Sequence, residues 1–204
     1  MPTALILAGG ESHRFGGPKA FAEFRGRPML AWVAAALAPL ADETLVAVAD
    51  SDQEERVRHV LPGATPVRDA RPGRGPVEGL ARGLETARGE VVLVAPCDAP
   101  FLRTSLYELL LVRLEAHDAV VPRIEVPDPL RAVYRRKAAL RVLEASRARI
   151  PSPIALVDRL DAVLLPAEDL RAADPDLSSF LDVNRAEDLE ALETRGDRGP
   201  VRDR

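Results

Sequence analysis

The stretch Leu5-Ile6-Leu7-Ala8-Gly9-Gly10-Glu11-Ser12-His13-Arg14-Phe15-Gly16-Gly17-Pro18-Lys19-Ala20 carries the strongest structural signal in this 204-residue chain. The apolar run Ala4 to Leu7 has the composition of a buried strand, and it stops abruptly at Ala8-Gly9-Gly10. Glycines at 9, 10, 16 and 17 let the backbone turn with positive φ and come close to a ligand, so that amide N–H groups converge on phosphate oxygens. Arg14 adds a bidentate fork and Lys19 a mobile point charge. The combination predicts a strand delivering a phosphate-binding loop, with a nucleoside triphosphate as its guest. It is neither of two commoner loops, because no Gly-Lys-Ser/Thr ending and no G-x-G-x-x-G opening directly into a helix is present.

Lys19 stands out for a second reason. Of the 28 basic residues 26 are arginines, and only Lys19 and Lys137 are lysines. A chain that uses arginine almost everywhere keeps a slim ammonium at the loop, where a planar guanidinium fits a phosphate pocket less well. Asn184 is likewise the only asparagine.

Bulk properties narrow the function. The length suits one domain, expected over 1–194, and 47% hydrophobic with 29% charged residues is the composition of an ordinary globular protein. Residues 195–204, with two glycines, a proline and alternating charge, read as a disordered tail. A net charge of −4 and 4% aromatic residues argue against a nucleic-acid surface. No apolar run has the length of a membrane span and no signal peptide opens the chain, so a cytoplasmic protein is expected. The single Cys97 cannot form an intramolecular disulfide, and His13, His59 and His117 lack metal-ligand spacing, so any metal is expected to be oxygen-bound.

Strands and helices alternate after the loop. Pro28 sits where a first helical residue belongs, and Leu30, Val33, Ala34 and Leu37 share one face. Strands are expected at Thr44–Ala49, Glu90–Ala95, Ala119–Val121 and Leu130–Tyr134, with a short extended piece at Thr65–Val67. Helices are expected from a Ser51 cap to Val60, along Val77, Leu80, Ala81 and Leu84, after a Thr104 cap, and over Arg136–Ala145. The order predicts a three-layer α/β fold, Rossmann-like with a mostly parallel sheet, whose site lies at the carboxyl ends of the strands.

Three further segments add chemistry. Asp98 follows an apolar strand and is flanked by Pro96 and Pro100, which places a stiffly held carboxylate where it reaches Mg²⁺, the structural alternative being a simple aspartate turn. Asp182 and Asn184 alternate with Val183 onto one side and are candidates to complete a Mg²⁺ shell, while Asn184 is also a candidate helix cap. Asp69, with Gly75-Pro76-Val77-Glu78-Gly79 opening a helix, offers an N-terminus that favours anions.

Taken in order, LAGG with Arg14 and Lys19, Asp69 with GPVEG, PCDAP, and DVNRAEDL, the chain resembles the molybdenum cofactor guanylyltransferases, the MobA-like nucleotidyltransferases, from Thr3 to about Leu192. The resemblance implies a nucleotidyltransferase domain with GTP and Mg²⁺ as ligands and molybdopterin, or its molybdenum-loaded form, as acceptor. GMP would be transferred and pyrophosphate released, and proteins of the same cofactor pathway would be partners. It implies nucleotide contacts from Leu7, Ala8 and Gly9, phosphate binding by Lys19, nucleotide binding by Asp69, and Mg²⁺ on Asp98, while the glycine loops themselves add Gly10, Gly75 and Gly79 as candidate nucleotide contacts. LAGG rather than LAAG, with the GPVEG loop, favours guanine by the same resemblance.

The chain departs from the family's N-V-N-T-P-E-D pattern at Asp182-Val183-Asn184-Arg185-Ala186-Glu187-Asp188, where the first amide is a carboxylate. Arg185 stands where a small hydroxyl residue is usual and either meets the pterin phosphate or faces solvent. A family asparagine near the end of strand two has no counterpart around Val48 to Asp50. Two other functions therefore stay open: a cytidylyltransferase or other nucleotidyltransferase acting on a related phosphorylated acceptor, and a catalytically silent GTP-binding accessory protein. Arg131, Tyr134 and Ser152 fall in the half expected to face the acceptor, each with an ordinary structural alternative.

Overall fold

The computed structural model describes residues 1–9, 17–70, 75–146, 150–184 and 188. Their elements are β1 (Thr3–Leu7), a 3₁₀ turn (Lys19–Phe21), β2 (Glu23–Phe24), β3 (Arg27–Pro28), α1 (Met29–Leu37), β4 (Glu43–Val48), α2 (Ser51–Val60), β5 (Thr65–Arg68) and α3 (Pro76–Thr86). Then follow β6 (Val91–Pro96), α4 (Thr104–Leu114), β7 (Ala119–Arg123), β8 (Ala132–Arg135), α5 (Arg136–Ser146), α6 (Pro153–Val157), β9 (Ala162–Pro166), α7 (Ala167–Leu170) and a 3₁₀ turn at Ser178–Phe180.

Seven strands form one sheet in the order β5-β4-β1-β6-β8-β7-β9, and β8 alone runs against its neighbours. The alternation of side chains along each strand explains the three layers. Ala4 and Ile6 of β1 face a core with Leu30, Val33 and Leu37 of α1, Val57 of α2, and Leu106 and Leu110 of α4. Leu5, between them, faces a second core with Leu80 and Leu84 of α3, Ala139 of α5 and Leu156 of α6. Both faces are covered, as the near-continuous apolar strands require.

The expected α/β architecture is present, with local corrections. Asp50, not Ser51, caps α2 by accepting from the Gln53 N–H. Thr104 is no cap, because its hydroxyl donates to the Ala36 carbonyl and joins α4 to α1. Pro28 precedes α1 and ends β3. A 3₁₀ turn at Ser178–Phe180 precedes Asp182. The β2–β3 hairpin turns on Arg25 and Gly26, both with positive φ, which is the primed turn that hairpin twist favours, although Arg-Gly is a weaker signal for it than Asn-Gly.

The switch in strand order falls at β1. Its chain proceeds to β4 on one side and β6 on the other, which opens a crevice beyond the carboxyl ends of the strands. Leu7 is level with Ala47 and Pro96, and Val48 with Arg68, so Gly9, Asp69 and Asp98 all leave the sheet at one edge. Backbone bonds from Ala8 N to Ala47 O (2.8 Å), Asp69 N to Val48 O (3.0 Å) and Cys97 N to Leu7 O (3.2 Å) continue the ladder into these exits.

Candidate active site

A cavity of about 390 Å³ occupies this crevice. One end is lined by Leu7, Ala8, Gly9, Asp69, Gly75 and Gly79, and the lining continues through Lys19 and Asp98 to Asp128, Arg131 and Asp182. Of the nucleotide-binding residues expected from the sequence, these meet in one place. Arg14, Gly10 and Arg185 lie outside the described residues, as does the expected tail at 195–204.

Lys19 is held by a tight local structure. The turn at Lys19–Phe21 closes through Phe21 N to Pro18 O (3.1 Å) and Ala22 N to Lys19 O (3.0 Å), and buried Ala20 and Phe21 anchor it. The Nζ then donates to Asp98 Oδ2 at 3.3 Å and to Asn184 Oδ1 at 2.9 Å. Residues separated by 79 and 165 positions therefore share one ammonium group. Asp98 sits just beyond β6, and its carbonyl accepts from Val183 N at 3.0 Å. Val183 is fully buried beside Phe24 and Met29, which turns Asp182 and Asn184 to the other side as the alternation predicts. Asn184 also donates its backbone N–H to the Asp188 carboxylate at 2.8 Å.

Asp182 is directed elsewhere. Its carboxylate pairs with the Arg131 guanidinium, not with Lys19, so of the three candidate metal ligands only Asp98 and Asn184 converge. Burial raises the Asp182 pKa above the ordinary carboxylate value, Arg131 opposing and Asp98 reinforcing that shift. A carboxylate and an amide oxygen already gathered around a cation fit Mg²⁺, which takes one or two protein oxygens and keeps water or phosphate for the rest. Among the described residues no group of three His, Cys, Asp or Glu side chains is arranged to hold a metal ion.

Asp69 has the opposite problem, a buried Oδ1 with no hydrogen-bond partner among the described residues. Burial, then the nearby Glu78 charge, raises its pKa to about 6, while Arg82 pulls it down. The backbone around it is close: a Cβ on Gly9 would stand 3.3 Å from Asp69 Oδ2, and one on Gly79 would stand 3.1 Å from the Ala47 Cβ. Gly75 opens α3 at φ +67°, with no side chain capping the helix N–H groups. Asp69 and Gly75, at the start of α3, thus line the same cavity.

The acceptor-side candidates divide. Arg131 lines the cavity, but Tyr134 is a core residue whose hydroxyl donates to the Pro129 carbonyl, and Ser152 caps α6 by accepting from Ala155 N. Neither of the last two reaches the cavity lining. Asp128 does, and periodicity passes over it, although Pro127-Asp128-Pro129 repeats the proline-flanked aspartate found around Asp98. The Cys97 thiol is pushed upward by burial and by the adjacent Asp98 charge, so it stays neutral in the wall.

An open α/β sheet with a lysine, an acid and an amide gathered beyond its switch point defines a nucleotide-handling transferase fold. Residues 4–163 match the MobA-like NTP transferase domain, and the chain belongs to that family. It is 34% identical over 201 residues to a probable molybdenum cofactor guanylyltransferase of Methanosarcina acetivorans, covering 93% of this chain and 89% of the relative. It is 36% identical to a molybdenum cofactor guanylyltransferase of Desulfosudis oleivorans, covering 94% of each. Its fold superposes on the crystal structure of molybdopterin-guanine dinucleotide biosynthesis protein A from Archaeoglobus fulgidus with a TM-score of 0.80 and 28% identity, over 95% of this chain and 97% of that one. Among the described residues no helix is long and apolar enough to cross a membrane.

Proposed function

We propose that this chain is a guanylyltransferase that moves GMP from GTP to the terminal phosphate of molybdopterin, with Mg²⁺ as cofactor. The carrying observation is that Lys19, which gathers Asp98 and Asn184, lines the same cavity as Asp98 and the Asp69 carboxylate. The full-length relatives named as guanylyltransferases support the same reading.

An acceptor phosphate oxygen attacks the α-phosphorus of GTP, a P–O bond forms there, and the bond from the α-phosphorus to the bridging oxygen breaks as pyrophosphate leaves. The acceptor phosphate is already ionised, so no strong general base is needed and alignment with charge neutralisation carries the rate. Lys19 neutralises charge growing on the departing pyrophosphate. Asp98 and Asn184 would hold Mg²⁺, which when bound supplies charge neutralisation at the reacting phosphates. The Asp69 carboxylate, which lines the cavity, accepts from the adjacent N–H donors on the guanine edge and selects against cytosine. The uncapped start of α3 at Gly75 donates backbone N–H groups to the nucleotide.

The test supplies purified protein with Mg²⁺ and molybdopterin and follows pyrophosphate release with GTP, ITP or CTP. Turnover with GTP, weaker turnover with ITP for want of the exocyclic amine, and none with CTP is the expected order. Preference for CTP would make it a cytidylyltransferase, and GTP binding without pyrophosphate would make it a silent nucleotide binder.

A further inference from the structure

Asn184 reaches Lys19 from a stretch of chain that belongs to no helix or strand, and something must hold that stretch in place. Arg131 is the side chain that ties it to the sheet on the cavity side. Arg131 immediately precedes β8, the reversed strand, and the pairing of Ala132 with Val94 of β6 sets it beside the end of β6 that leads to Asp98. It is 4% exposed. Its Nε donates to the Ser179 carbonyl at 2.8 Å, one terminal nitrogen pairs with Asp182, the other pairs with Asp128, and its guanidinium carbon lies 5.5 Å from the centre of the Phe180 ring. One planar group therefore fastens residues 179, 180 and 182 to the start of β8. A lysine has a single donor centre and cannot do this.

The rest of the stretch is braced from behind. Asp174, fully buried, accepts from the backbone N–H groups of Ser178 and Ser179, and Arg103 at the start of α4 pairs with it at 3.1 Å. Ahead of the clamp, Val183 is pinned to Asp98 by its N–H and to Phe24 by packing. Asn184 is the next residue. The carboxylate at 182, which departs from the amide usual in the family pattern, thus has a partner in this chain: a buried guanidinium that needs an anion on each side.

We propose that Arg131 is a positioning residue for nucleotidyl transfer, acting through Asp182 and the Ser179 carbonyl to seat Asn184 against Lys19 and Asp98. The role in catalysis rests on the transferase reading above, whereas the seating of Asn184 does not. Loss of the clamp leaves Asp128 and Asp182 facing the cavity without their shared cation and releases the segment that carries Asn184. A displacement of that kind lowers kcat by about 10- to 100-fold with less effect on the KM for GTP, whose proposed contacts at Gly9, Asp69 and Gly79 come from other elements.

The chain has an internal reporter for this. Asn184 is the only asparagine and Gln53 the only glutamine, so a ¹⁵N spectrum of the protein without ligands contains two side-chain carboxamide pairs. Gln53 is buried in α2 with its oxygen accepting from Ala49 N at 3.1 Å, and it reports on folding away from the clamp. In Arg131→Met and Arg131→Lys the Asn184 pair is expected to collapse to the shifts of a free carboxamide while the Gln53 pair stays, and kcat is expected to fall as stated. In Asp182→Glu, which keeps a carboxylate for Arg131 and adds no carboxamide, the Asn184 pair is expected to stay dispersed.

An Asn184 pair that does not move in either Arg131 variant overturns the proposal, as does a Gln53 pair that moves with it, or failure of both variants to fold, since either would mark Arg131 as general support for the fold. A moved Asn184 pair in a protein whose wild type has no transferase activity would retain the seating and discard the function.

Discussion

Lys19 Nζ lies 2.9 Å from Asn184 Oδ1, a contact between the first loop of the chain and a residue 165 positions later. Asp98 completes the group at 3.3 Å from the same nitrogen. Each side chain leaves a different part of the fold: a 3₁₀ turn after β1, the exit of β6, and an irregular segment held by Arg131 at the start of β8. The sheet supplies the common edge on which they meet.

Lys19→Arg is expected to lower turnover at least about tenfold, because a planar fork cannot occupy the point where Asp98 and Asn184 converge. Steady-state rates beside a melting curve check it, the Tm staying within a few degrees. Near-normal turnover would remove Lys19 from the phosphate site.

Asp98→Asn keeps an oxygen for Lys19 and discards the charge. Turnover is expected to fall by about a hundredfold or more, with stability changed by no more than about 1 kcal/mol. Titration with Mg²⁺ should show a weaker metal requirement constant in the variant. A variant that loses stability without losing turnover would mark Asp98 as a structural turn.

Asp69 links function to pH. Its pKa of about 6 lies above the ordinary 3.8, so the folded state binds its proton more tightly than the unfolded chain. The stability this provides is present below about pH 4 and is lost as pH rises through 6. Asp69→Asn imitates the neutral acid, so it is expected to stabilise the nucleotide-free protein at pH 8 by about 1 kcal/mol, a figure reduced because the residue is only partly buried, and by almost nothing at pH 4. Urea unfolding at the two pH values measures this. The KM for GTP is expected to rise as pH falls below 6 in the wild type, where a protonated acid no longer accepts two donors.

Gly83→Ala tests the packing of α3 on the sheet. A Cβ there would stand 2.2 Å from Leu5 Cδ2 and 2.8 Å from its Cγ, and Leu5 is fully buried in a central strand. The substitution is expected to destabilise by about 1–3 kcal/mol, seen as a lowered Tm. Gly79→Ala, with its nearest contact at 3.1 Å, is expected to cost less stability and to weaken GTP binding instead, since Gly79 lines the cavity.

Much of this was legible in the residues because it is written in short-range patterns. The apolar runs of β1, β4 and β6 are long enough to read as covered strands, and Leu30, Val33 and Leu37 carry the helical period of α1 without ambiguity. What escaped was weakly patterned or decided by capping geometry. β9, with Leu164 partly exposed on a sheet edge, alternates poorly, and the Arg25-Gly26 turn lacks the usual asparagine. Ser51 and Thr104 looked like caps by residue type, yet Asp50 holds the extended backbone that a cap needs and Thr104 found a carbonyl on another helix.

From its sequence alone this protein had a covered parallel sheet, a glycine loop with cations at its first turn, and acids at the ends of later strands, since local propensity, period and residue chemistry specify those. Which acids act together was settled only by tertiary structure. Along the chain Asp182 and Asn184 both read as candidates to complete a shell begun by Asp98, but a buried guanidinium at Arg131 demands an anion and takes Asp182, while the ammonium of Lys19 gathers Asp98 and Asn184. The choice depends on which charges are left to neutralise one another once water is excluded, and that is a property of three-dimensional burial.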